Sequence, residues 1–403
     1  MNNSNSTVEI ELAKGVDISI INLIDELIKN AYFIRASDIH IDPLEDLIRI
    51  RFRVDGILND FYFFPKEIYS EIISRIKIIS SLRIDEHYSA QDGRFRIKVL
   101  ESESIDIRIS IIPTYYGENV VLRLLYDKAE CFTLDTLGFN HIDQQKIIEA
   151  IKKTAGMILV TGPTGSGKTT TLYTLIKMLN NNNISIVTIE DPIEYAIEGV
   201  KQIQINSKNG LTFANGLRSI LRQDPNIIMV GEIRDIETAS ISINTALTGH
   251  LVLSTLHTND SATTLPRLLD MKVESFLVAS TVSLVIGQRL VRKICQHCKA
   301  EKKLLKEERE RIELIFNKKI TNVLYQGQGC ESCNNTGYQG RIVISEILVM
   351  TENIRRAIMK KVSANEICNL AKNDGMKTML EDGYDKAVLG LTTIDEILRV
   401  AYD

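Results

Sequence analysis

The chain has 403 residues, 48 basic against 52 acidic, and a formal charge of −4. That length allows roughly two or three domains with separate cores, and a composition 44% hydrophobic and 25% charged excludes a disordered chain. The near balance of charge gives the whole chain no electrostatic footprint of a nucleic-acid binder, and no nucleic-acid partner is expected.

The opening "MNNSNSTVEI" has neither a basic leader nor an apolar core. No later run reaches the roughly 18 apolar residues of a membrane span, so a cytoplasmic protein is expected. In a reducing compartment, paired cysteine spacings among the six cysteines read as metal or redox sites, not disulfides. Cys131 and Cys368 stand alone and are assigned no role.

Along the chain, Ile20, Ile24, Leu27, Ile28 and Ala31 recur at helical spacing and predict an amphipathic helix over 17–34. The period then changes. In "LIRIRFRVDG", Ile48, Ile50, Phe52 and Val54 alternate with Arg49, Arg51 and Arg53, predicting a strand with one buried face, closed by an Asp55-Gly56 turn. Pro65 is expected to open a second helix through residue 82, with Ile68, Ile72, Ile76 and Ile79 on one side. Two further alternating strands, "RFRIKV" and "IDIRISII", project Arg94, Arg96, Arg108 and Ser110 away from their isoleucine faces. Together these elements predict a small α+β domain over residues 1–127.

From residue 128 the pattern is different. "MILVTG", "SIVTIED", "NIIMVGE" and "LVLSTLHT" are short, nearly unbroken apolar runs separated by helical segments, as in strands buried on both faces of a mainly parallel sheet. There is no fixed-period repeat, and "NNNN" at residues 180–183 is expected to be a surface loop.

The chemistry concentrates in this second part. "GPTGSGKT" at residues 162–169 follows an apolar strand and precedes a helix, the context a phosphate-binding loop requires. Its backbone N–H groups and the helix N-terminus would cradle phosphates. The phosphate-binding candidates are Gly162, Pro163, Thr164, Gly165, Ser166, Gly167, Lys168, Thr169 and Thr170. Lys168 would reach the β and γ phosphates and Thr169 would hold Mg²⁺. No guanine-reading "NKxD" is present, which favours ATP over GTP. Two strand ends supply carboxylates: Glu190, Asp191 and Glu194 in "VTIEDPIEY", and Glu232 in "IIMVGEIRD". His250 and His257 bracket another strand, and His257 is placed to sense the γ-phosphate.

Cys295, Cys298, Cys330 and Cys333 form two C-x-x-C pairs separated by 31 residues. Four thiolates satisfy a structural tetrahedral zinc site. A redox pair and unconnected core cysteines are the competing readings, and "AEKKLLKEERERIELIFNKK" within the gap is expected to be a helix that spans it.

With these residues in place, the sequence resembles the secretion ATPases, the motors of type II secretion and of type IV pilus or competence-pseudopilus assembly. The resemblance runs from "ASDIHIDP" at residue 36 to "GLTTIDEILRV" near the end. "GPTGSGKTTTLY", "IEDPIEY", "GLRSILRQDPNIIMVGEIRD" and "TGHLVLSTLHTND" match the family's motifs in order. It implies an α/β protein with a PAS-like first domain, a RecA-like second domain over 128–403, a zinc subdomain over 290–345 and C-terminal helices. It also implies Glu232 for magnesium and water, Glu194 as leading candidate general base, His257 as sensor, and Arg108 and Arg123 as residues that close over the γ-phosphate. Arg218 and Arg222 match further motif positions.

The resemblance further implies ATP, Mg²⁺ and Zn²⁺ as cofactors and a homo-hexameric ring. Through an inner-membrane platform protein at the cytoplasmic face, the ring would act indirectly on pilin or pseudopilin subunits. The four-cysteine element is common in assembly and secretion motors and typically missing from pilus-retraction motors, so retraction is the lesser alternative, followed by a nucleic-acid translocase and a zinc-bearing scaffold without hydrolysis. Only a short segment precedes the first domain here, where many family members carry additional docking domains.

Overall fold

The computed structural model of the chain describes residues 3–100, 103–126, 132–316, 319 and 323–402. Two compact units are present, Met1–Ala129 and Glu130–Asp403. The expected domain boundary at residues 127 and 128, and Cys131, lie outside the described residues.

Period-two alternation builds the first unit. Strands β1 (Asp38–Pro43), β2 (Leu47–Val54), β3 (Ile57–Pro65), β4 (Gln91–Leu100), β5 (Glu103–Thr114) and β6 (Gly117–Leu125) form one antiparallel sheet, ordered β3-β2-β1-β6-β5-β4. On β2, Ile48, Ile50 and Phe52 are fully buried while Arg49, Arg51 and Arg53 between them stay partly exposed. Helices α1 (Asn3–Leu12), α2 (Ile20–Phe33) and α3 (Tyr69–Ile79) contribute Val8, Leu27 and Ile76 to the core that this apolar face forms.

Two helix boundaries depart from expectation. Ser19, not residue 17, starts the first amphipathic helix: its side chain accepts the Asn22 N–H as a cap, after a 3-10 turn over Gly15–Asp17. Pro65 does not open a helix, because its ψ of 145° keeps it extended at the end of β3. A 3-10 turn over Lys66–Ile68 intervenes before α3, which stops at Ile79.

The second unit is organised by a seven-stranded sheet with the order β15-β12-β7-β11-β10-β8-β9. Its strands are β7 (Gly156–Thr161), β8 (Ile186–Glu190), β9 (Lys201–Gln204), β10 (Ile227–Val230), β11 (Leu251–Leu256), β12 (Val282–Ile294) and β15 (Tyr338–Val349). All are parallel to their neighbours except β15, which pairs antiparallel with β12. Every residue of β7, β8, β10 and β11 is buried, as strands covered on both faces require.

Alternate residues of β7 feed opposite cores. Ile158 and Val160 pack with helices α4 (Leu134–Leu137), α5 (His141–Ile151) and α6 (Lys168–Leu179). Met157 and Leu159 pack with α8 (Ile236–Leu247), α9 (Ser261–Asp270), α10 (Ser275–Thr281), α12 (Glu352–Met359) and α13 (Ala364–Asn373). Helix α7 (Phe213–Ile220) covers the β8–β10 edge through Leu217 and Ile220.

The segment between the cysteine pairs is not one helix. Strands β13 (Lys299–Lys302) and β14 (Leu324–Gly327) pair antiparallel, and α11 (Lys306–Phe316) lies between them; residues 317 and 318 are outside the described residues. The pairing of Lys299 with Gly327 and Lys302 with Leu324 takes Ala300, Glu301 and Lys302 out of the expected helix. Ile312 and Phe316 of α11 pack against Tyr384 of α14 (Met379–Val388) and Ile397 of α15 (Ile394–Tyr402). No helix among the described residues is long and apolar enough to cross a membrane.

Candidate nucleotide and metal sites

The phosphate loop leaves the C-terminal end of β7, the side of a parallel sheet where ligands bind. Its shape depends on glycine. Gly162 has φ 148°, and a Cβ there would meet the Gln288 carbonyl oxygen at 2.3 Å and Ser166 Oγ at 2.6 Å. Gly167 caps α6 in the left-handed region and supplies no side-chain acceptor, whereas α2, α5, α7, α8 and α9 are capped by Ser, Asn, Thr or Asp. The first N–H groups of α6 are therefore left for an anion.

Lys168 Nζ donates to the carbonyls of Gly162 at 2.8 Å and Pro163 at 2.9 Å. Burial pushes its ammonium below the ordinary lysine value, and the negative charge of Glu232 opposes that shift. Pro163, Thr164, Gly165 and Thr169 are exposed, Gly167 and Thr170 half-buried, and Ser166 buried.

Glu232 is held between Arg234 and His257. Its Oε1 lies 2.7 Å from Arg234 Nη2 and its Oε2 3.2 Å from His257 Nε2. The end of β7, where the phosphate loop begins, is tied to the loop after β11: Thr161 Oγ1 donates to the Thr258 carbonyl at 2.9 Å and accepts the Thr258 N–H at 3.2 Å. One hydroxyl thereby fixes the His257 loop relative to the phosphate loop.

The acidic box after β8 separates into two parts. Glu190 is 2% exposed and accepts from Tyr173 Oη, Thr188 Oγ1 and, at 3.2 Å, Gln202 Nε2. Its carboxylate is turned inward and shapes the box. Asp191 and Glu194 are exposed, the Asp191–Pro192 bond is cis, and the Glu194 N–H donates to Tyr173 Oη at 3.3 Å. Tyr195 packs edge-on against the Tyr173 ring at 4.7 Å.

The remaining candidates have contacts of their own. Arg218 pairs with Glu237 of α8 and donates to Asn215 Oδ1 at 3.1 Å, and Arg222 donates to the Arg218 carbonyl and Ser219 Oγ. In the first unit, Arg108 and Arg123 face each other on β5 and β6, and Arg123 Nε is 3.0 Å from Asp38 Oδ1. His250 Nδ1 lies 3.2 Å from the Thr245 carbonyl, a structural contact at the end of α8.

Sequence reading missed two residues at this site. Arg234 stands two positions after Glu232 in "GEIRD", where opposite charge was the available signal. Gln288 is fully buried in β12, accepting from Thr171 Oγ1 at 2.9 Å and donating to the Ser166 carbonyl at 2.8 Å. A polar side chain inside the apolar run "LVIGQRLV" signals a buried group that must find partners.

The four paired cysteines converge, with all four Sγ atoms within 4.8 Å of one another. The Cys295–Cys330, Cys298–Cys333 and Cys330–Cys333 sulfur distances are 3.8, 3.9 and 3.7 Å. Four sulfurs placed tetrahedrally about 2.3 Å from one zinc lie about 3.8 Å apart, so the donor set fits. The N–H groups of Cys330 and Gly337 point at Cys333 Sγ from 3.3 and 3.2 Å. Burial opposes ionisation of Cys333, but these N–H groups and the neighbouring thiols bring its pKa down to about 7, which favours the thiolate a metal needs. Cys368 is a free cysteine, half-buried beside the apolar core of α13.

The Type II/IV secretion system protein family matches residues 14–399. The chain is 46% identical over 402 residues to the type II secretion system protein E of Xanthomonas campestris pv. campestris, covering 99% of this chain and 71% of that protein. It is 42% identical over 398 residues to the type IV pilus assembly ATPase PilB of Pseudomonas aeruginosa, covering 99% and 70%. Among solved structures, the pilus retraction motor PilT with bound ADP is similar with a TM-score of 0.62 and 27% identity, covering 94% of this chain and 97% of that one. The chain belongs to the Type II/IV secretion system protein family, among its secretion and pilus-assembly ATPases.

Proposed function

We propose that the chain is a motor ATPase that couples ATP hydrolysis to movement between its two units, and so drives assembly or extrusion of pilin or pseudopilin subunits. The observation that carries this reading is the convergence of Lys168, Glu232, Arg234 and His257 at the mouth of a glycine-shaped phosphate loop. Relatives named for type II secretion and for pilus assembly, matched over almost the whole chain, support the direction of the work.

In this reading the loop from Gly162 to Thr170 binds the phosphates, with Lys168 on the β and γ groups and Thr169 holding Mg²⁺. Bound magnesium would neutralise phosphate charge. Glu232, oriented by Arg234 and His257, orders the attacking water, Glu194 takes its proton, and His257 reports the γ-phosphate to the loop after β11. Arg108 and Arg123 supply positive charge from the first unit, a contribution worth roughly 10³ to 10⁵ in phosphoryl transfer when an arginine finger is complete. The cysteines hold Zn²⁺ as a structural element, six copies form the ring, and an inner-membrane platform protein receives its motion.

Pilus retraction is the second reading, favoured by the likeness to PilT. The cysteine quartet and the relatives named for secretion and pilus assembly speak for assembly. Deleting the gene and scoring pili, DNA uptake and secreted protein in one strain separates them. Loss of extruded pili or of secretion supports assembly; excess surface pili would contradict it. Metal analysis of the purified chain should return one zinc per chain, and less than half a zinc would remove the structural site.

A further inference from the structure

We infer that Glu346, on the antiparallel edge strand β15, is a positioning residue for the hydrolysis centre: it fixes the N-terminus of α9 and, through it, the loop that carries His257. The inference rests on the role proposed for His257.

Glu346 is a buried carboxylate, 6% exposed, between buried Ser345 and Ile347 on β15. Its Oε1 accepts both the Ser261 N–H at 2.7 Å and Ser261 Oγ–H at 2.8 Å. Ser261 is the first residue of α9, four positions after His257. A buried carboxylate is costly unless its partners repay the lost hydration; Ser261 supplies two of the donors and the Met379 backbone another. Burial, with a smaller push from the Asp260 charge, raises the Glu346 carboxyl above its ordinary range, and the Ser261 donors and the Met379 backbone act against that shift.

The way is cleared by Gly287. On β12 this residue stands opposite Glu346 on one side and Thr161 on the other. A Cβ there would lie 2.9 Å from Glu346 Cγ and 3.0 Å from the Ser261 nitrogen, so glycine leaves the gap through which the carboxylate reaches α9. The intervening loop is braced from both ends. Thr258 is bonded to Thr161 at the start of the phosphate loop, and its hydroxyl lies 2.7 Å from Thr264 Oγ1 inside α9. Asp260 caps α9 by accepting the Thr263 N–H at 2.7 Å. Glu346 is the anchor on the far side of this brace, and losing it frees α9 to carry the His257 loop away from Glu232.

The test is a double-mutant cycle in the full chain, with ATP affinity measured alongside turnover. Glu346→Ala should bind ATP within about twofold of wild type and turn it over about tenfold more slowly, while Glu346→Gln, whose amide oxygen still accepts from Ser261, should recover most of the loss. In a His257→Ala background, Glu346→Ala should cost less than about twofold further, because its effect is exerted through His257. Should Glu346→Ala fail to fold, Gly287→Ala gives the same reading by crowding the carboxylate.

Wild-type turnover, an undiminished effect in the His257→Ala background, or a loss of ATP affinity in step with turnover overturns the inference. Wild-type turnover in His257→Ala alone overturns the role of His257, and the inference with it. A slow His257→Ala beside a fast Glu346→Ala sinks only the inference.

Discussion

Two glutamates close neighbouring parallel strands of the same sheet and have opposite surroundings. Glu190, the last residue of β8, is turned into the protein and receives neutral donors from Tyr173, Thr188 and Gln202. Glu232, just beyond β10, lies between Arg234 and His257 and is close enough to Lys168 to raise that ammonium's pKa against burial. In sequence both are acids after an apolar strand. The difference teaches that position at a strand end marks a potential ligand site, while the character of the partners decides which acid can act. Neutral donors exhaust a carboxylate; a histidine and an arginine at the mouth of a phosphate loop poise it.

Replacing Lys168 with Ala should have the largest effect, lowering turnover by at least about 10²-fold and weakening ATP affinity with it, because the phosphates lose their main point charge. ATP affinity retained at the wild-type level would detach Lys168 from the site. Arg234→Ala should sharpen the contrast more gently. With ATP affinity preserved, turnover should fall about tenfold if Arg234 orients Glu232, an effect of the size of one lost charge-assisted hydrogen bond. Steady-state kinetics distinguishes this from a change in KM alone.

Glu190→Gln should act on stability first. Its new amide N–H₂ faces donors already in place, costing about 1–3 kcal/mol in denaturant unfolding. A catalytic loss like that of Lys168→Ala, without loss of stability, would break the distinction between the two glutamates. Tyr173→Phe should be milder still, about 1 kcal/mol, since Thr188 and Gln202 continue to serve the carboxylate.

Much of this was legible in the sequence where local chemistry has a fixed spacing. The phosphate loop is readable because Gly162 and Gly167 occupy backbone geometry that other residues resist. The cysteine pairs are readable because two C-x-x-C spacings match a four-thiolate donor set, and β7, β8, β10 and β11 because burial on both faces leaves unbroken apolar runs. What escaped depends on pairing across the sheet. Strands β12 and β15 carry Gln288, Arg289, Ser345 and Glu346 within apolar runs, which obscures the strand pattern. Those polar residues acquire meaning only once β12 lies beside β7 and β15 beside β12. Likewise "KAEK" has no apolar alternation, and only its partner β14 makes it a strand. The inward turn of Glu190 was equally invisible, since Tyr173 and Gln202 are distant in sequence.

The central claim is that ATP gripped at Lys168 is cleaved at Glu232 under arginines from the first unit. Its most direct measurement is ATP binding and single-turnover hydrolysis on the same full-chain Arg108→Ala sample. The account predicts unchanged binding, with cleavage slowed by about 10²-fold or more, a large share of what a completed arginine finger contributes. Cleavage at the wild-type rate would contradict it.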